Sequence, residues 1–157
     1  MSQENVEIVR HFAEAHDGED LMPGIREAVA RWAPDPDPAE VLAWWADDPG
    51  WSGADPEIEW DTSAIPGVGT IVKGPKEVAL WWVDWTNAWK SYIYRTAEYR
   101  DLGEWVLTRT EIEAVGPGDV AVEMTVFQMW KVRNGKIATC RVFPTEPQAL
   151  EAAGLSE

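Results

Sequence analysis

The residues of this chain that could do chemistry are few and scattered. Asp61 closes a short alternating run in which Ile58, Trp60 and Thr62 share one side and Glu57, Glu59 and Asp61 the other. That alternation predicts a half-buried strand. A regular strand puts Trp60 and Thr62 inside and leaves Asp61 outside; a bulge, or an early break at Pro66-Gly67, lets Asp61 enter instead. A carboxylate in an apolar interior loses hydration and holds its proton more tightly, the condition for proton abstraction near neutral pH. The balance tips inward for Asp61, because Thr62-Ser-Ala-Ile-Pro66 is poor material for a continuing strand. His16 shares the apolar face of a first helix with Val6, Val9, Phe12 and Ala13, as a second acid/base or as a hydrogen-bonded core residue. Arg109 and Glu111 alternate within Leu107-Thr-Arg-Thr-Glu-Ile112, so they point the same way, as a surface ion pair or as a charged pair in a site. Gln128 is the single polar residue on the strand face Val120, Val122, Met124, Val126, Trp130 and Val132. Cys140 is the one cysteine, so no disulfide forms within the chain, and no Cys/His cluster has metal-site spacing.

The 11 tryptophans are the other unusual feature. Val78, Trp82, Trp85 and Trp89 make one stripe on a helix predicted over 75–90, with Trp81 beside it. A buried tryptophan removes ~150–250 Å² of surface from water, so the stripe reads as core. It reads equally as a ligand wall, since pockets are lined by the same residue types.

The elements that must position these groups follow from periodicity and breakers. Helices are predicted over 3–16, 24–32 and 39–46, with the proline-rich stretch 33–38 between the last two. A strand is predicted from 57, then the aromatic helix from Pro75. Strands over 92–101, 105–115, 120–132 and 137–143 follow, the last two joined by a turn on Asn134-Gly135. A closing helix covers 146–153. At 157 residues the chain reads as one domain, 1–157.

The net charge is −15, and it is uneven: residues 1–61 hold 16 acids and 3 bases. An acidic surface repels phosphate backbones and anionic lipid, which excludes nucleic-acid and membrane-surface roles. No apolar run reaches membrane-spanning length, and Met1-Ser-Gln-Glu-Asn-Val6 lacks signal-peptide character, so the cytoplasm is the expected compartment.

Leading helices, a short strand, one helix and a long antiparallel meander describe an α+β cone, a curved antiparallel sheet wrapped around N-terminal helices. At Asn5-Val-Glu-Ile-Val-Arg10, Glu57-Ile-Glu-Trp-Asp-Thr-Ser63, Gly74, Gln128-Met-Trp-Lys-Val-Arg-Asn-Gly-Lys-Ile137 and Glu151-Ala-Ala-Gly-Leu155 the chain resembles the SnoaL-like polyketide cyclase group of the NTF2-like superfamily. The likeness covers most of 1–18 and 55–157; the 19–54 segment is longer than the family's second helix and reads as holding an insertion.

The resemblance implies a conical pocket for a small apolar or ring-bearing molecule, with no cofactor or metal, in a homodimer formed through the sheet. It implies site positions at Phe12, Trp60, Thr62 and Gln128, to which the helix face adds His16 and the tryptophan stripe adds Trp85 and Trp89 as candidate ligand-binding residues. Isomerases of this fold pair an aspartate base with a tyrosine and a protonated aspartate. Here those positions fall on Trp60, Phe12 and Gln128, so that chemistry fails at two of the three. Epoxide hydrolases of this fold need two aspartates and an arginine. Arg109 and Glu111 resemble one half, but Val142 stands where the second carboxylate belongs, which disfavours this activity. Polyketide cyclases ask for little beyond an acidic acid/base, for which Asp61 is the candidate. The expected function is therefore a pocket protein with cyclase or isomerase chemistry carried by Asp61, Arg109 and Glu111. The alternatives are a binding protein without catalysis and a cone filled by its own tryptophans.

Overall fold

The structure is a computed structural model that describes residues 2–32, 35, 37–67 and 69–154. Helix α1 (Ser2–Glu14) forms where Val6, Val9, Phe12 and Ala13 repeat at helical spacing, and all four side chains are buried. It ends two residues short of the expected boundary, leaving His16 in the turn that follows. Helices α2 (Met22–Trp32) and α3 (Pro38–Asp47) come next. The break foreseen over 33–38 lies partly, at residues 33, 34 and 36, outside the described residues. Asp37 caps α3, its side chain accepting from Ala39 N at 3.0 Å.

Strand β1 (Ala54–Asp61) starts three residues earlier than the alternation suggests. After the Pro66-Gly67 turn the chain adds a short strand that the sequence reading lacks, β2 (Ile71–Lys73), antiparallel to β1. Helix α4 (Gly74–Thr86) follows at once. Its first residue, Gly74, has φ +84°, a left-handed conformation that costs glycine little. The remaining elements are β3 (Ser91–Asp101), β4 (Val106–Val115), β5 (Ala121–Arg133), β6 (Lys136–Phe143) and α5 (Glu146–Ala152). Asn134 and Gly135, both at positive φ, turn β5 into β6 as the Asn-Gly pair predicts.

These five α-helices and six strands of the described residues make an α+β cone with a curved, unclosed sheet, ordered β2-β1-β6-β5-β4-β3. One pairing departs from the expected antiparallel pattern: β1 runs parallel to β6, so the sheet is mixed. A parallel neighbour needs a long crossover, and the stretch from α4 through β5 provides it. The main core lies between the concave face and the helices, around Val9, Val41, Ile58, Val78 and Trp130. On the opposite face α5 packs Ala149 and Leu150 against Leu107, Met129 and Phe143. Among the described residues no helix is long and apolar enough to cross a membrane.

Candidate functional site

Strand parity decides which side chains can meet inside the cone. With Leu107, Met129 and Phe143 committed to α5, their neighbours Thr108, Gln128 and Val142 turn to the concave face. There the sheet, α1, α2 and α4 enclose a cavity of about 270 Å³. Its wall is aromatic. Trp60 sits at the centre of a tryptophan cluster, with ring centroids 5.8 Å from Trp82, 5.9 Å from Trp51 and 6.2 Å from Trp130. Trp85 continues the wall and donates from Nε1 to the Tyr92 hydroxyl at 2.8 Å. Burial pushes the Tyr92 phenol up to about 12, so it stays protonated at any working pH.

The polar part of the interior is a directional chain ending on Gln128. The Trp130 indole, which can only donate, gives its proton to Thr108 Oγ1 at 2.8 Å. Thr108 then donates to Gln128 Oε1 at 2.7 Å, and Thr110 donates to the same oxygen at 2.8 Å. Since the Thr110 proton is used there, Thr96 supplies the proton of the 2.9 Å Thr96–Thr110 contact. Reversing the amide would leave the Thr108 hydroxyl without an acceptor, although Thr108 is fully buried. Gln128 Oε1 is thus occupied by two hydroxyls, and the amide N–H groups are what Gln128 offers the cavity. The Trp60 indole N–H is buried without a hydrogen-bond partner. Thr62, also on the wall, exchanges hydrogen bonds with the backbone of Thr70.

His16 reaches the cavity edge but offers it no free nitrogen. Nε2 lies 2.9 Å from Asp48 Oδ1 and Nδ1 lies 3.0 Å from Glu19 Oε1. The Asp48 hydrogen bond, outweighing burial and helped by Glu19, raises the imidazole to about 9. Burial pushes the Asp48 carboxyl up, but His16 and the Trp51 and Gly50 amides outweigh it and hold it below the usual range. The pair ties the end of α1 to the loop that carries Trp51, a wall residue stacked on Trp45. Its geometry is that of a structural clasp.

Several expected site residues stand elsewhere. Asp61 does not turn inward: the pairing of β1 runs unbroken from Glu59 to Asp61, so Trp60 and Thr62 line the cavity while Asp61 faces the other side. There its Oδ1 accepts from Ser63 N at 2.9 Å and Ser63 Oγ at 2.6 Å, and Oδ2 lies 3.4 Å from Arg141. It fixes the turn after β1. Arg109 and Glu111 point the same way, as expected, but outward, 3.4 Å apart, and Arg109 also pairs with Glu98 at 2.8 Å. Trp89 lies beyond the end of α4 and packs on Trp85 and Tyr92 instead of lining the cavity. Phe12, His16, Trp60, Thr62, Trp85 and Gln128 are brought together on the wall.

The reading missed Thr96, Thr108, Thr110, Tyr92 and Tyr94, all wall or network residues. A signal for the threonines was present. In β4 one parity reads Thr108, Thr110, Ile112 and Ala114, the other Arg109, Glu111 and Glu113, and charged residues belong on the solvated face. Among the described residues no group of three or more His, Cys, Asp or Glu is placed to hold a metal ion.

The fold is that of NTF2-like proteins. A protein of unknown function from Burkholderia pseudomallei, described as NTF2-like, superposes with a TM-score of 0.57 at 16% identity, covering 94% of this chain and 95% of its own. TerC, co-crystallized with polyporic acid, gives 0.56 at 16% identity over 76% of this chain and 98% of its own. A candidate SnoaL-like polyketide cyclase from Jannaschia sp. CCS1 gives 0.51 at 15% identity over 74% and 90%. At such identities the likeness is one of fold. No family model matches the sequence, and no curated protein matches it.

Proposed function

We propose that this chain binds a small ring-bearing molecule in its cavity and performs no acid/base chemistry on it. One observation carries the reading: among the described wall residues, the only carboxylates, Glu19 and Asp20, sit at the exposed edge. The interior sheet positions carry Trp60, Thr62, Thr110, Gln128, Trp130 and Val142 instead. A cyclase or isomerase needs a proton acceptor within reach of the substrate, and the candidate for that role, Asp61, is engaged on the other face.

The volume suits a compound of one or two rings, given that an apolar cavity of about 150 Å³ already accepts benzene. The Gln128 amide would orient an acceptor such as a carbonyl oxygen. TerC, which shares the fold, was co-crystallized with polyporic acid. The test is calorimetric and fluorescence titration with one- and two-ring aromatic ketones. Saturable binding, with an emission response reduced in Trp60→Phe, is expected. Failure of every such compound to bind at millimolar concentration, or base-catalysed turnover abolished by Asp61→Asn, would end this reading.

A further inference from the structure

The cavity has one exposed margin, and its charge is lopsided. Of the described wall residues Glu19, Asp20 and Gly24 are the most exposed, which puts the mouth beside the segment that enters α2. That segment is hydrogen-bonded along β3, through Gly18 N to Tyr94 O at 2.8 Å and Leu21 N to Tyr92 O at 2.9 Å. The mouth therefore opens next to Tyr92 and Tyr94, whose side chains line the cavity. Asp20 is held there rigidly, its Oδ1 accepting from Met22 N and Tyr92 N. Asp17 is anchored beside it by Thr96 N at 2.7 Å.

The opposing cations are few and engaged. His16 is shared between Asp48 and Glu19. Nearby Arg26 donates to Lys90 O, Lys90 pairs with Asp119, and Arg95 pairs with Glu113. None of the described wall residues is lysine or arginine. On the wall two acids, Glu19 and Asp20, thus stand against one imidazolium, with Asp17 and Asp48 already engaged close by. A low-dielectric funnel lined by one sign of charge concentrates counter-charged ligands, and aromatic faces stabilise cations that leave water.

We infer that the cavity selects ring-bearing ligands that carry a protonated amine, and rejects carboxylates. The ring and its acceptor enter, while the ammonium stays at the mouth between Glu19, Asp20 and the two tyrosines. This rests on the binding function proposed above and adds the ligand's charge.

Three matched probes test it by calorimetry: 4-(aminomethyl)acetophenone, neutral 4-ethylacetophenone and 4-acetylbenzoate. At about 20 mM salt, where screening is weak, the ammonium compound should bind most tightly. It should exceed the carboxylate by roughly tenfold or more, as two nearby acids imply. That gap should shrink at about 500 mM salt, and to within about threefold in Glu19→Gln/Asp20→Asn, where the asparagine oxygen can still accept the two amides. A carboxylate that binds as tightly as the amine, a neutral ketone that binds best, or a gap unmoved by both salt and the double variant overturns the inference. In those cases the protein still binds rings and the proposed function stands; if none of the three binds, both fall together.

Discussion

Gln128 offers the sharpest test, because one amide oxygen satisfies two buried hydroxyls. In Gln128→Leu the Thr108 and Thr110 protons lose their acceptor. Thr108 is fully buried and Thr110 nearly so, at 2% exposure, which leaves water little access to replace it. A buried donor left unsatisfied costs about 1–3 kcal/mol. Turning Thr110 back toward Thr96 would only displace the Thr96 proton, so two donors are stranded and the gross penalty is about 2–6 kcal/mol. The leucine regains some apolar burial, of order 1 kcal/mol. The net expectation is a loss of about 1–5 kcal/mol, which corresponds to a fall in Tm of about 2–20 °C for a chain of this size. Urea and thermal unfolding measure it. Adding Thr110→Val removes one of the two stranded protons and should recover about 1 kcal/mol. Aromatic ketones should bind Gln128→Leu about tenfold more weakly, measured where the variant is fully folded. A variant that unfolds within about 2 °C of the parent, or whose stability falls further on adding Thr110→Val, would show that the amide orientation derived from Trp130 is wrong.

The other expectations are read from stability and binding assays. His16, raised to about 9 from an ordinary 6.5, stabilises the fold fully below about pH 6.5, and that contribution disappears as the pH climbs through 9. Partial exposure screens the pair, so the loss should be about 1–2 kcal/mol between pH 7 and 10, and His16→Gln should abolish this slope. If the parent and the variant lose stability in parallel over that window, the clasp contributes nothing. Asp61→Asn should leave ligand affinity within about twofold and cost about 0.5–1.5 kcal/mol of stability through Ser63 and Arg141; a tenfold loss of affinity would put Asp61 back in the site. Val142→Asp should create no epoxide hydrolysis, because Arg109 and Glu111 face away from the new carboxylate; measurable turnover lost again in Glu111→Gln would contradict that orientation.

Much of the fold was legible because each element announces itself locally. The Val6, Val9, Phe12 and Ala13 stripe, the Asn134-Gly135 turn and Pro144 after the last strand each fix an element or a boundary without help from afar. What stayed hidden was set at long range. The parallel pairing of Trp60 with Cys140 depends on a partner 80 residues away, and no periodicity in either strand reports its direction. Strand β2, only three residues long, has no period to detect, and it exists because β1 leaves an edge for it.

The site was legible in half its residues for a related reason. Alternation gives two sets of side chains per strand, and which set enters the cone is decided by what covers the other face. In β1 the apolar set was evident, and Trp60 and Thr62 entered as a regular strand requires, while the preference for an inward Asp61 assumed a bulge near Asp61; the irregularity in β1 falls earlier, between Ala54 and Glu59. In β4 the inference followed the charged pair Arg109 and Glu111 toward a catalytic role, although α5 settles the matter. Leu107, Met129 and Phe143 need an apolar cover outside the sheet, and Ala149 and Leu150 are that cover. Once Leu107 faces α5, Arg109 and Glu111 must share its side, and Thr108 and Thr110 must face inward. The closing helix, far from the cavity, therefore decides which polar atoms line it. That is why the interior holds hydroxyls and one amide, and why, among the described residues, no carboxylate lines the inner sheet face.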